Sequence, residues 1–557
     1  MQKYIAFFML ILLAFAPEAW AEVYYVHPER GSDGNRGTSP KAAWKTLGKV
    51  SKKRFTAGDR VLFAAGTKFY GMLSIRNQEG AASSPIVFSS YPNPDKPEAR
   101  HVYIDGRGQM SAVAIINSSH IHLEKFSVTA EGGGVPKWVE AMRQKQKKPE
   151  VLMRVGVLVE ATKKGTFENI RLSELIVKDV FFYEKGHSRA IAETQTQNGT
   201  QEYGYGIRFI ARNGSNMNNI HIANSLVQSV SHTGIKVTPM RAQSKISNIL
   251  IENNRLYQIG GPGIQISRGR NIYVHHNIVD TPGSKHDSRN WQRGSGMWTW
   301  GSHNALIEHN QFMNADGTAD SAGFHIDFNC RNIIVQYNLS KNNTGGFVEI
   351  LGNNHNSAYR YNVSINDGAR NKGKNHATHD GKIMWLSGYV GKGRRQHGPY
   401  NSYVYNNTVY VSEGVLAKFA VAKWAQGAFI ANNIFHIVGK SKGLTGWAYK
   451  LDPKARNSQL TNMFFENNLF LKKKNWPKNV AIQPKKSVFG DVQFVNAGGG
   501  DIRDYIPRNK KLVKDKGIAI KQIVGDDIGL IVGLGVEKDI LGNPIRGLPD
   551  MGAIEME

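Results

Sequence analysis

The chain has 557 residues, with 71 Lys and Arg against 44 Asp and Glu, a formal charge of +27, and a single cysteine, Cys330. One cysteine excludes an intramolecular disulfide, so core packing and backbone pairing must hold the fold together. The length exceeds what one compact core serves, leaving several domains or one elongated element, and the 58 glycines favour a turn-rich β chain over a helical one.

In chain order, a short basic start is followed by an apolar run, Ile5 to Ala16, and by the small-residue pattern Ala19-Trp20-Ala21. Together they predict a secretory signal peptide over residues 1–21 and a mature chain from Glu22, exported to the periplasm or the medium. No second apolar run is long enough to span a bilayer, so no membrane span is expected. A strongly positive field gathers polyanions. For an exported protein it points to an acidic or sulfated polysaccharide rather than nucleic acid.

Short phrases then recur, among them ILIENNRLYQI, IYVHHNIVDT, ALIEHNQFMN, IIVQYNLSKN and AFIANNIFHI. Each is a β-rich run, an asparagine and a second β-rich run. The asparagines are Asn254, Asn277, Asn310, Asn338, Asn362, Asn407, Asn433 and Asn468, with shortest gaps of 23 and 24 residues and a longest gap of 45. A unit this short, holding two or three strands, is one coil of a β-solenoid. A propeller blade needs about 40 residues or more. Asparagine at a repeated bend tolerates left-handed backbone and can ladder with its copies above and below. Longer gaps read as the same unit with inserted loops. Two stretches depart from the repeat. Residues 135–154 are lysine-rich with helix-forming composition, read as an insertion or lid. Residues 371–397 carry Lys372, Lys374, Lys382, Lys392, Arg394 and Arg395 against the single acid Asp380, read as a basic substrate clamp.

The opening VYYVHPERGSDGNRGTSPKAAWKTLGKV, the following AGDRVLFAAGTKFYG and the closing DILGNPIRGLPDMGAIE resemble exported right-handed parallel β-helix proteins of the pectate-lyase-like group. The resemblance implies an all-β, single-stranded right-handed parallel β-helix with loop insertions and terminal caps, over residues 22–500, and a C-terminal closing segment over 501–557. It leaves the activity open, because the fold hosts lyases, hydrolases, esterases and inert adhesins.

Candidate chemistry lies in GFHIDFNC and GGFVEI. Side chains alternate along a strand. Phe324, Ile326 and Val348 are expected to face the core, and His325, Asp327, Phe347 and Glu349 to face out. Asp327 and Glu349 each stand four residues after a glycine, Gly323 and Gly345. They should stack on adjacent coils with carboxyl groups roughly 5–6 Å apart, near the retaining-glycosidase separation. One acid would stay protonated as proton donor and the other ionised, with His325 orienting them. Trp298 and Trp300, expected to be exposed on the preceding coil, would stack sugar. Asn353, His355, Asp367 and Arg370 would line the loop side of the cleft, and Lys382, Arg394 and Arg395 would meet anionic groups. The pattern also resembles β-helix glycoside hydrolases of the xylosidase and fucosidase kind, which implies Asp327 as nucleophile and Glu349 as acid/base. Hydrolysis requires no cofactor. Two alternatives stand: a uronate lyase drawing on His325, His355, Lys382 and Arg394, with Ca²⁺ held by Asp327, Glu349 and Asp367, and a non-catalytic glycan-binding solenoid.

Overall fold

The computed structural model describes residues 21–131, 153–196, 202–444 and 460–556. Residues 1–20 of the segment expected to be a signal peptide and most of the insertion expected at 135–154 lie outside the described residues, and Met153 and Arg154 open the strand Met153–Ala161. Among the described residues no helix is long and apolar enough to cross a membrane.

The strands form three long parallel sheets. One coil shows the pattern: Lys245–Glu252 lies in the first sheet, Arg255–Ile259 in the second and Ile264–Ser267 in the third, before Gly269–His275 starts the next coil. Successive coils pair in parallel and in register. In Lys245–Glu252 the residues Ile246, Ile249 and Ile251 are buried while those between them are not. Repeated on every coil, such stripes stack into one continuous apolar interior. Burial of those stripes is the main stabilising term, because apolar area removed from water is worth about 25 cal/mol per Å².

The asparagines sit at the bend from the first sheet to the second, and all eight are buried. Each backbone N–H and each Nδ2 donates to the Oδ1 of the next asparagine, from Asn254 to Asn277 at 3.0 Å through to Asn433 and Asn468. The Nδ2 groups also donate to carbonyls on neighbouring strands. The ladder thus satisfies polar backbone that the bend would otherwise bury unpaired. The left-handed residue is the one before the ladder asparagine, not the asparagine itself: Asn253, His276, His309, Tyr337, Tyr361, Asn406, Asn432 and Asn467 all have φ near +50°.

At the N-terminal end the short helix Leu47–Lys52, whose first turn is capped by Thr46 Oγ1, packs Leu47 and Val50 against the core beside the stacked Tyr24 and Trp44 rings. The last residues run back along the outside of the solenoid. Ile518, Ile520, Leu534, Val536 and Ile545 pack on Tyr361, Tyr403, Tyr405 and Phe429 of the first sheet. Arg360 and Tyr405 donate to the carbonyls of Gly533 and Leu534, and Asn356 and Tyr403 donate to Asp526. The closing segment is therefore a strap along one side.

Candidate active site

On the outer face of the third sheet, register aligns one row of side chains across four consecutive coils. Trp298 pairs with His325, Ile326 with Ile350, and Glu349 with Trp385. The row reads Trp298, His325, Glu349, Trp385. Asp327 follows one outward step beyond His325, beside Trp300. Both acids face out, as alternation predicts, but they are not stacked at equivalent positions. The pairing offset is 24 residues, so Glu349 lies beside His325 and Asp327 lies diagonally from it. The shift comes from the glycine pair. Gly346 has φ +141°, and a Cβ there would stand 1.9 Å from the Lys382 carbonyl oxygen. This bend also turns Phe347 into the core, where it packs on Tyr359, against the expected outward position.

His325 Nε2 is 3.6 Å from Glu349 Oε1 and 3.9 Å from Asp327 Oδ1. Because both oxygens contact the same Nε2, they stand at most about 7.5 Å apart. Neither His325 nitrogen has a hydrogen-bond partner among the described residues. Burial opposes charge on this imidazole, but Glu349, Asp327 and Asp320 outweigh it and raise its pKa. Burial pushes Asp327 up to about 6, against the pull of His325 and a 2.8 Å hydrogen bond from the Phe328 N–H. The Glu349 carboxylate accepts no hydrogen bond from a described residue, and it faces His325, Arg370 and Lys382.

Three residues not foreseen from the sequence complete the cluster. Asp320 has φ +52° and is held by Arg293, whose Nε donates to Oδ2 at 2.7 Å; the Arg293 charge and this bond overcome burial and hold Asp320 below the usual carboxylate range. Trp385 is the third, with Lys382 Nζ 3.4 Å from its ring centre. Asp320 and Arg293 sit in loops, where no periodicity marks them. Trp385 was hidden because a long insertion separates its strand from Val363–Ile365 and from Asn362, the asparagine that marks its coil, and because Ile383 and Met384 both enter the core, which breaks the alternation of KIMWL.

The other candidates divide. Trp298 is buried, against Tyr203, Tyr205 and Trp291, so it is not the exposed platform expected; its alternation is outward, but neighbouring aromatic side chains cover it. Trp300 is half-buried and meets Phe328 edge-on, as Phe328 meets Tyr389. Arg370 is buried within the cluster and donates to the Asp320 carbonyl at 2.9 Å; burial brings it down to about 10. Lys382 is not in a loop. It belongs to the strand Lys382–Leu386, which divides the stretch 371–397, and burial brings it down to about 7. Arg394 and Arg395 are exposed. Asp367 does not line the cleft. It is fully buried, accepts from Asn343 N–H and Ser364 Oγ, and is pushed up to about 7 by that burial. The three-acid Ca²⁺ arrangement is thus not assembled. Asn353 is a left-handed turn residue bonded to Asn329, and His355 lies on the first sheet, stacked on Tyr400.

Residues 205–409 match the family described as the right handed beta helix region. Over 96% of its length the chain is 25% identical to the lacto-N-biosidase of Bifidobacterium longum subsp. longum, of which it spans about a third (36%). A shorter match, 26% identical over 84 residues, covers 15% of this chain and 13% of alpha-1,3-galactosidase A from Akkermansia muciniphila. The crystal structure of the GH136 lacto-N-biosidase from Eubacterium ramulus superposes with a TM-score of 0.51 at 20% identity, covering 76% of this chain and 68% of that one. With three parallel sheets wound in register and this match, the chain folds as a right-handed parallel β-helix.

Proposed function

We propose that the protein is an exported carbohydrate-active enzyme that hydrolyses glycosidic bonds in an acidic or sulfated polysaccharide. One observation carries the reading: two carboxylates flank a single imidazole on an outer row of the solenoid that also holds two tryptophans. The likeness to a lacto-N-biosidase along nearly the whole chain supports glycan chemistry.

In this reading Asp327, with its pKa near 6, holds the proton for the leaving oxygen. Glu349, ringed by His325, Arg370 and Lys382, attacks the anomeric carbon and forms a glycosyl ester. Asp327, now ionised, takes a proton from water, and the water oxygen cleaves the ester and restores both groups. These roles reverse those implied by resemblance to xylosidases and fucosidases, because burial raises Asp327 rather than leaving it a ready anion. His325 is a positioning residue that offers an N–H to substrate hydroxyls. Asp327→Asn and Glu349→Gln should each lower kcat on a cleaved oligosaccharide by about a thousandfold. If Asp320→Asn alone abolishes turnover while Glu349→Gln retains it, the pair is Asp320 and Asp327 instead.

A lyase reading draws on Lys382. An amine with pKa about 7 can act as base at neutral pH, and Arg370 beside it would neutralise a uronate carboxylate. The two readings predict opposite pH slopes. A protonated Asp327 makes hydrolysis fall as pH rises through about 6, whereas a neutral Lys382 makes elimination rise through about 7.

A further inference from the structure

Just past the turn that follows the catalytic row, the first-sheet strands carry a second column. Arg270 pairs with His303, His303 with Arg331, and Arg331 with His355. These are four consecutive coils, so adjacent side chains are spaced by the strand repeat of about 4.8 Å. Arg270 and Arg331 are exposed, and their guanidinium groups make no hydrogen bond or ion pair among the described residues. Among the described residues, no acid is a charged neighbour of His303 or His355. The charged neighbours of His303 are Arg270 and Arg331, and those of His355 are Arg331 and His397. Burial and those cations lower both imidazoles, His355 to about 4. At neutral pH both are therefore neutral hydrogen-bonding groups, His303 set between the two guanidinium groups and His355 beside Arg331, stacked on Tyr400 with its Nε2 3.3 Å from Asn353 Oδ1. The column is adjacent to the catalytic row: the strand of Trp300 ends at that residue and the strand of His303 begins three residues on, while Arg331 follows Asp327 across the equivalent turn of the next coil. Arg268, at the equivalent turn of the coil before Trp300, places its guanidinium 5.5 Å from the Trp300 ring centre.

We propose that Arg270, His303, Arg331 and His355 form a track that binds an anionic polysaccharide lengthwise along the solenoid, beside the catalytic row. One coil rises by about the length of one sugar residue and the two guanidinium groups stand two coils apart, so an extended chain with a carboxylate or sulfate ester at least on every second residue meets both cations in register. Arginine suits either group, because its planar fork makes paired hydrogen bonds to both. The wound repeat supplies the spacing, and among the described residues no ion pair offsets the two guanidinium groups.

This inference concerns binding and stands apart from the hydrolase reading, so its test is a binding test. Heparin, polygalacturonate and neutral dextran would be titrated by calorimetry into the Asp327→Asn/Glu349→Gln protein, with and without Arg270→Gln/Arg331→Gln. Lys511→Gln/Lys521→Gln serves as a control that removes the same net charge elsewhere. The expected result is binding of a polyanion but not of dextran, weakened about tenfold or more by the track substitutions and less than about twofold by the control. Loss for heparin alone would assign sulfate esters as the ligand, and loss for polygalacturonate as well would assign anionic sugars generally. Equal effects of track and control substitutions, or no polyanion binding at all, would overturn the proposal.

Discussion

At the residue scale, Asp327 is where function and stability pull apart. Its folded pKa, about 6, lies above the ordinary carboxylate value. The folded state therefore favours the protonated form. The stability that this proton brings is full below the unfolded value and is lost as pH rises through about 6. At pH 8 the cost of ionising this buried carboxyl is on the order of 3 kcal/mol. Asp327→Asn, which cannot ionise, should raise the thermal midpoint at pH 8 and leave it unchanged below pH 4, while removing turnover. An unchanged midpoint at pH 8 would mean that Asp327 is better solvated than its buried setting indicates. The outward placement of Asp327 and Glu349 was legible because strand alternation survives any even shift of register. Their relative position was not, because Gly345 and Gly346 allow a bend that has no counterpart in the hydrophobic pattern. Asp320 and Arg293 were illegible for a simpler reason: the loop backbone that aims them follows no period.

At the scale of the element, the asparagine ladder and the tryptophan row make separate predictions. Asn338 accepts from the Asn310 N–H and Nδ2 and donates to Asn362. Asn338→Ala leaves the buried Asn310 N–H without its acceptor, at a cost of about 1–3 kcal/mol, and more when the remaining ladder bonds are counted. A lower urea midpoint with an unaltered circular dichroism spectrum is the expected outcome, and no change would deny the ladder a structural role. Trp385→Ala should raise KM for oligosaccharides at least severalfold with a smaller effect on kcat, since a stacking platform binds ground and transition states alike. The ladder was readable from sequence because it repeats on every coil. Trp385 was hidden in the longest gap, where an inserted loop masks the coil it belongs to.

At the scale of the whole molecule, the solenoid turns sequence spacing into parallel columns. One column holds the candidate catalytic groups and another the unpaired arginines, while the C-terminal strap covers the first sheet farther along. Removing residues 518–557 should expose Tyr361, Tyr403 and Phe429, lower the thermal midpoint, and open the later coils to proteolysis before the earlier ones. The β-solenoid, with coils of two or three strands and a laddered bend, followed from repetition, and the right-handed parallel β-helix from resemblance; the structure fixes the number of strands per coil at three, one in each sheet. The strap's path did not, because its contacts join residues more than a hundred positions apart, as in Arg360 to Gly533.

The most direct test of the account is digestion of a panel of acidic, sulfated and neutral polysaccharides by the wild-type, Asp327→Asn and Glu349→Gln proteins. New reducing ends and the ultraviolet absorbance of an unsaturated uronate would be followed together. The account predicts reducing ends from an anionic glycan without that absorbance, lost in both variants. Reducing ends accompanied by the absorbance, or turnover that survives both substitutions, would contradict it.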